Sequence, residues 1–220
     1  MAAADRTRLR LVEAATEVLA EDGVFAASLV EITRRAGQRN RGAVHYHFGT
    51  REQLLVAVLH QHAPFLAARE GELLAAARET PSDDLASVLE AIVRPAVELA
   101  ETGPSGRQYL VIVGQLVEEF DRLDEAVAAE LTATGGYDVY ALLAERMPPL
   151  DEALHNERLA LITGFILRSV ADRARAVERT LVEGGVAGRA QLPTERFVRN
   201  LVTMAAGMAV APPIDVNTPS

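Results

Sequence analysis

The sequence predicts an all-α chain: a three-helix helix-turn-helix unit at the N-terminal end, then a larger C-terminal helical bundle. Three observations carry this. Apolar residues recur at the helical period along nearly the whole chain, with no alternating strand pattern of useful length. Ala, Leu, Val and Glu are abundant while aromatic residues make up only 5%, a balance that favours helices over sheets. Serine, threonine, asparagine and glycine punctuate the apolar runs where helices start and stop.

The elements follow in order. In RTRLRLVEAATEVLAE, residues 6–21, Leu11, Ala14, Ala15, Val18 and Leu19 form one stripe, and Gly23 is the stop. Ser28-Leu29-Val30-Glu31 reads as a capping box opening a short helix that Gly37 ends. Asn40 is a good N-cap for a third helix running to about Phe48. Thr50-Arg51-Glu52-Gln53 is a second capping box, opening a long helix to about Arg78 that Pro64 should kink. Thr80-Pro81-Ser82 is the clearest break. Later helices are predicted over about 83–101 (kinked at Pro95), 106–120, 122–146 (interrupted at Gly135-Gly136), 151–182 and 194–210. A Gly-rich loop covers 184–190, and the tail at 212–220 is expected to be disordered. The domains are therefore 1–50, a helix-turn-helix unit, and 51–211, a connecting helix with its bundle.

With 220 residues, 49% of them hydrophobic, the chain can build a substantial core. It has no cysteine, which excludes disulfides, thiolate nucleophiles and Cys-based zinc sites. No basic-then-apolar leader opens it and no run approaches the roughly 18 apolar residues of a membrane span. A soluble, cytoplasmic protein without membrane partner or cofactor is expected. The net charge of −9 is unevenly spread. Residues 1–52 hold eight Arg against seven acids, so the remainder carries −10. All 22 basic residues are Arg.

RNRGAVHYHFGTREQLL, residues 39–55, sets two histidines around a tyrosine. At about 100° per residue, a helix with Val44 pointing inward puts Phe48 about 40° away on the same ridge. Gly42 and Tyr46 then point outward, Ala43 and His45 flank them, and Arg41 and His47 lie nearer the edges. That face is small, aromatic and cationic, with no acid. A short helix, a glycine turn and a second short helix make the helix-turn-helix shape, whose second helix enters the major groove of DNA. Gly42 and Ala43 would let the backbone approach base edges, and Arg41 can donate to guanine or phosphate. Tyr46, His45 and His47 can donate to phosphates, with Ser28 and Arg51 at neighbouring helix starts adding further contacts. Two other readings stand beside this one: these residues as ordinary surface, or His45 and His47 as metal ligands. Residues two apart diverge by about 200° on a helix, which argues against a shared ion, and His60-Gln61-His62 fails the same test.

The stretches LVEAATEVLAEDG, SLVEITRRAG and AGQRNRGAVHYHFGTREQLL together resemble the N-terminal domain of the TetR family of bacterial transcriptional regulators. The match covers about residues 6–60. The resemblance implies an all-helical homodimer whose first three helices bind double-stranded operator DNA, while the C-terminal helices dimerise and bind an inducer. Positions matching the family's DNA contacts are Ser28, Arg41, Gly42, Ala43, His45, Tyr46, His47 and Arg51. The turn before Tyr46-His47 is one residue longer than is usual in the family, so Gln38, Arg39, Asn40 and Arg41 remain alternative base readers.

Beyond residue 60 composition carries the reading. YLVIVGQLV, residues 109–117, is apolar nearly all round and should be buried, with Gln115 needing a partner that is either a ligand or a neighbouring backbone. Tyr109, Phe120, Tyr137, Tyr140 and Phe165 are candidate walls of a pocket for a small apolar inducer, or plain core. The helix at 197–210 has two apolar stripes, Phe197, Leu201, Met204 and Met208 on one and Val198, Val202, Ala205 and Ala209 on the other. The first of them, with Leu161, Phe165 and Arg168, is the candidate dimer interface. Competing functions are a DNA-binding regulator without a small-molecule inducer and, more distantly, a helical metalloenzyme using His45, His47, His60 or His62 with acids such as Glu118 and Glu119.

Overall fold

The computed structural model describes residues 3–133, 136–183 and 191–213, and every regular element among them is helical. The order is α1 (Ala3–Asp22), α2 (Leu29–Arg35), α3 (Ala43–Phe48), α4 (Arg51–Leu59), α5 (Ala63–Arg78), α6 (Leu85–Glu101), α7 (Pro104–Glu118), a 3-10 turn (Phe120–Arg122), α8 (Glu125–Thr132), α9 (Gly136–Arg146), α10 (Glu152–Glu183) and α11 (Thr194–Val210). Gly135, the 184–190 loop and most of the 212–220 tail lie outside the described residues.

The stripe read on α1 is the buried face. Leu11, Ala14, Ala15, Val18 and Leu19 are all in the core, joined by Val12. Helix α1 packs on α2 and α4 to form the small N-terminal unit, and also on α7 of the bundle. A partly exposed salt-bridge cluster ties α2 to α1: Arg35 reaches Glu21 at 2.7 Å and Glu31 of its own helix at 2.9 Å. The bundle is built around α6, whose buried Val88, Leu89, Ile92, Val93 and Val97 meet α5, α7, α9, α10 and α11. Helix α7 lies tightly on α10. A Cβ at Gly114 would lie 3.0 Å from that of Ala171, so glycine permits this approach.

Several local expectations need correction. Pro64 does not kink one long helix; it separates two. Helix α4 ends at Leu59 and Pro64 sits in the first turn of α5, where its missing N–H leaves no hydrogen bond unmade. Ser28 is the N-cap of α2, but its side chain makes no capping bond, and Glu31 turns instead to Arg34 and Arg35. Asn40 is not the N-cap of α3. That role falls two residues later, to Gly42, and Asn40 Oδ1 accepts from Gly42 N at 2.9 Å. The Thr50 half of the second box does form, with Gln53 N donating to Thr50 Oγ1 at 3.1 Å. The helix predicted over 83–101 is also present, as α6 with Pro95 inside it.

Candidate functional site

The turn between α2 and α3 is made by Gly37, whose φ of +68° is a left-handed conformation costly for residues with a Cβ. Gly37 N and Gln38 N return to the carbonyls of Arg34 and Thr33, closing the end of α2. Helix α3 is then held from inside by buried Val44 and by Phe48, half-buried beneath the Arg8 guanidinium at 4.9 Å. Opposite that ridge, Tyr46 is 80% exposed, the most exposed large apolar side chain among the described residues. Arg39, Asn40, Arg41, Gly42 and His45 are exposed beside it, and His47 is half-buried with its ring edge-on to Tyr46 at 5.0 Å.

His45 Nδ1 lies 2.6 Å from the Gly49 carbonyl. A carbonyl only accepts, so Nδ1 carries the hydrogen and Nε2 is the nitrogen left to face outward. Two residues sit differently from the expectation. Ala43 is only 5% exposed and belongs to the core beside Val44, because the helix starts at Gly42 and its first turn faces inward. Arg51 points back into the protein, donating to the carbonyls of Val24 and Ala27 at 2.7 Å each, which braces the α1–α2 loop against α4. Ser28 is exposed at the start of α2.

The histidines do not converge. His60 pairs with Glu130 at 2.8 Å and His62 Nε2 lies 3.0 Å from Ser105 Oγ, while His45 and His47 are on α3. No cluster of three or more metal-ligating side chains occurs among the described residues.

In the bundle, a cavity of about 440 Å³ lies between α5, α6, α7, α8, α9 and α10. Tyr109, Phe120, Tyr137 and Tyr140 line it, with Leu110, Val113 and Val117 from α7. Gln115 and Phe165 are not on its wall. Gln115 points the other way and accepts from Val24 N at 2.8 Å, so the partner the amide needed is backbone of the N-terminal unit. Phe165 is half-buried against the core. One polar group of the cavity comes from a residue that the sequence pattern did not single out. Glu70 of α5 is buried, and its Oε2 has no hydrogen-bond partner among the described residues. Burial alone pushes its carboxyl up to about 8. Tyr140 Oη is also without a hydrogen-bond partner among the described residues, and the Thr163 hydroxyl on the same wall donates to the Leu159 carbonyl at 2.7 Å. Burial pushes that phenol up to about 12, against an opposing influence of Thr163. A signal for Glu70 was available: it falls in the apolar stripe of Leu66, Leu74 and Ala77 at helical spacing, where an acid is out of place.

On the proposed dimer face, Leu161 (55%) and Met204 (49%) are exposed, and Phe197 and Met208 are half-buried. Leu201 is only 3% exposed, covered within its own protomer together with the stripe of Val198, Val202, Ala205 and Ala209. Helix α11 packs on both α6 and α10, and two neighbours bury a wider arc than one stripe. Arg168 pairs with Glu118 and with Asp172 at 3.1 Å. No helix among the described residues is long and apolar enough to cross a membrane.

Residues 11–58 match a family model described as bacterial regulatory proteins, tetR family, and residues 90–208 match the tetracyclin repressor-like C-terminal domain. Over 58 residues, 26% of this chain, identity is 47% to each of two proteins of Pseudomonas putida, the HTH-type transcriptional regulator SrpR and the uncharacterized HTH-type transcriptional regulator TtgW. The match spans only 27% and 42% of the length of those curated relatives. Among solved structures, AibR in complex with isovaleryl coenzyme A and operator DNA is similar in fold (TM-score 0.56, 17% identity, 90% of this chain and 97% of that one). So is the ketosteroid transcriptional regulator KstR2 of Mycobacterium tuberculosis (TM-score 0.56, 18% identity, 93% and 95%). With the C-terminal family model alone covering more than half of its residues, and the N-terminal one running from α1 into α4, the chain belongs to the TetR family of bacterial regulatory proteins.

Proposed function

We propose that the chain is a dimeric, ligand-responsive repressor that binds a palindromic operator through α3 and leaves it when a small apolar inducer fills the bundle cavity. The observation that supports this best is one of connection. Helix α7 walls the cavity with Tyr109, Leu110, Val113 and Val117, and the same helix holds the N-terminal unit through Gln115 and its packing on α1. A ligand that repositions α7 therefore moves the base of the helix-turn-helix.

In this reading Tyr46, His45 and His47 contact phosphates, while Arg39, Asn40 and Arg41, on the exposed turn, and Gly42 approach base edges. Ser28 offers a phosphate contact at the start of α2. Ala43 and Arg51 support the interface from within. Two copies joined through the exposed parts of α10 and α11, with Leu161, Met204, Phe197 and Met208, would set two α3 helices about one helical turn of DNA, or a multiple, apart. A ligand favouring a dimer with mis-spaced α3 helices lowers operator affinity by population shift. That AibR is seen with both isovaleryl coenzyme A and operator DNA fits a fold that accommodates both.

The test is to incubate purified protein with fragments of the source genome, sequence the bound ones, and measure affinity for the enriched site. A recurring palindrome bound at least roughly a thousandfold more tightly than unrelated duplex supports the reading. Uniform recovery of all fragments would sink it.

A further inference from the structure

The cavity wall holds an acid with one buried, unpartnered oxygen. Glu70 is only 8% exposed, lies on the cavity wall, and its Oε2 has no hydrogen-bond partner among the described residues. Tyr140 Oη, on the same wall, is likewise an oxygen without a partner there. No Arg or His among the described residues lines the cavity, so no cationic side chain on its wall pairs with an anion. Apart from Thr132 and Thr163 the remaining lining is apolar or aromatic, with Tyr109, Tyr137 and Phe120 among it. Unsatisfied buried polar groups are costly in the empty state, and a ligand that satisfies them recovers that cost on binding. A chamber with one carboxyl, aromatic walls and no base is complementary to a positive charge on an apolar body.

We propose that the cavity binds an organic cation of the aryl-alkyl ammonium class, its nitrogen held by the Glu70 carboxylate and the Tyr140 hydroxyl and its hydrocarbon body lying against the aromatic wall. This rests on reading the cavity as a ligand site, and it specifies the chemistry of that ligand. A volume of about 440 Å³ suits a compound of two aromatic rings and a short amine arm. Proton balance follows from the burial of Glu70. Its carboxyl, with a pKa of about 8, is largely neutral at pH 7 in the empty protein. An ammonium ion beside it favours the carboxylate, so the carboxyl gives up its proton to solvent as the ion pair forms.

Three probes of one shape decide the matter: 4,4-diphenylbutylamine, 4,4-diphenylbutan-1-ol and 4,4-diphenylbutanoic acid. Each is titrated calorimetrically into the full chain at pH 7 in two buffers of different ionisation enthalpy. The amine should bind at least tenfold more tightly than the alcohol, bind more tightly still than the acid, and release close to one proton per site. Glu70→Gln keeps the shape and removes the ionisable group, so amine and alcohol should bind it equally and without proton release. Proton release by the unaltered protein is a readout that needs no variant to fold. The inference is overturned if alcohol or acid binds as tightly as the amine, if no probe binds, or if the amine binds without releasing a proton. The operator is measured in parallel. Amine binding that leaves operator affinity unchanged would preserve the role of Glu70 and overturn the ligand-responsive reading instead.

Discussion

Gln115 Oε1 accepts a hydrogen bond from Val24 N at 2.8 Å, joining α7 to the loop between α1 and α2 across 91 residues of sequence. Val24 is buried, so its N–H has no ready access to water. Replacing Gln115 by Leu leaves that donor unsatisfied at a cost of about 1–3 kcal/mol. Because α7 is also a cavity wall, the substitution should do more than destabilise. The factor by which a cavity ligand weakens operator binding should shrink roughly fivefold or more in Gln115→Leu, the scale of a typical coupling between sites. Anisotropy titrations of operator with and without ligand supply that factor. An unchanged factor in a less stable protein would reduce Gln115 to a structural bond.

Arg51 gives a second link, inside the N-terminal unit. Its guanidinium donates to both Val24 O and Ala27 O at 2.7 Å, fixing the loop that leads into α2. Arg51→Lys can reach one carbonyl but not both in fork geometry. We expect Arg51→Lys to lose about 1 kcal/mol and Arg51→Ala about 2 kcal/mol of stability by denaturant unfolding. The salt dependence of operator binding should stay as in the parent, since the guanidinium is committed within the protein. A salt slope reduced by about one would show that Arg51 contacts phosphate after all.

Glu70 makes stability depend on pH in a defined direction. Its carboxyl sits at about 8 in the folded chain, above its ordinary 4.5. Below 4.5 both states are protonated and nothing changes. Between about 4.5 and 8 the unfolded chain releases a proton that the folded chain retains, so stability falls as pH rises and levels off above 8. Each unit is worth about 1.4 kcal/mol, so the loss reaches several kcal/mol. The buried neighbours Tyr109 and Tyr140 titrate above this range. His62, edge-on to Tyr109, is lowered by burial and acts in the opposite sense, its contribution falling as pH drops through 6.5. Comparing the parent with Glu70→Gln cancels His62. Glu70→Gln should unfold at a higher temperature than the parent at about pH 8.5 and show little difference at about pH 4.5. Parallel curves at both pH values would contradict the burial of this acid.

On α3, Tyr46→Phe keeps the ring on its His47 contact and removes only the hydroxyl. If that hydroxyl meets phosphate, affinity should fall by about 1 kcal/mol equally for operator and unrelated duplex. Arg41→Ala separates two roles for the exposed turn. A phosphate contact predicts a salt slope smaller by about one with discrimination intact, whereas a base contact predicts lost discrimination at one position of the half-site. Tyr46→Phe binding indistinguishable from the parent would remove that hydroxyl from the interface.

The helical class, the stripe on α1 and the inward ridge of Val44 and Phe48 were legible because each follows from residues three or four apart. Thr50 with Gln53 is the same kind of pattern, and it formed. Where two local geometries were both allowed, tertiary contacts made the choice. Pro64 suits a kink or a helix start, and Gln61 donating to Thr16 Oγ1 at 2.9 Å holds the junction against α1 as a break. Asn40 could cap the third helix or close a turn just before it, and it accepts from Gly42 N. The pairings of Gln115 with Val24 and of Arg51 with Val24 and Ala27 join residues far apart in the chain, so no periodicity could reveal them. Leu201 fell on a legible stripe, but the arc that α6 and α10 bury is wider than that stripe.

Leu161 and Met204 carry the remaining prediction, the dimer. Both are long apolar side chains about half exposed, on α10 and α11, the two C-terminal helices that pack on each other. Neither fills the core of its own protomer, so changing them tests association rather than folding. Leu161→Glu with Met204→Glu places two acids where a second copy would bring the same two, so a twofold interface gathers four added like charges on what was an apolar patch. Sedimentation velocity should show dimers for the parent and monomers for the double variant, with the helical circular dichroism of each the same. Operator affinity should drop roughly a hundredfold or more, because one helix-turn-helix reads only half a palindrome. Dimers persisting in the double variant would move the interface to another face of the bundle.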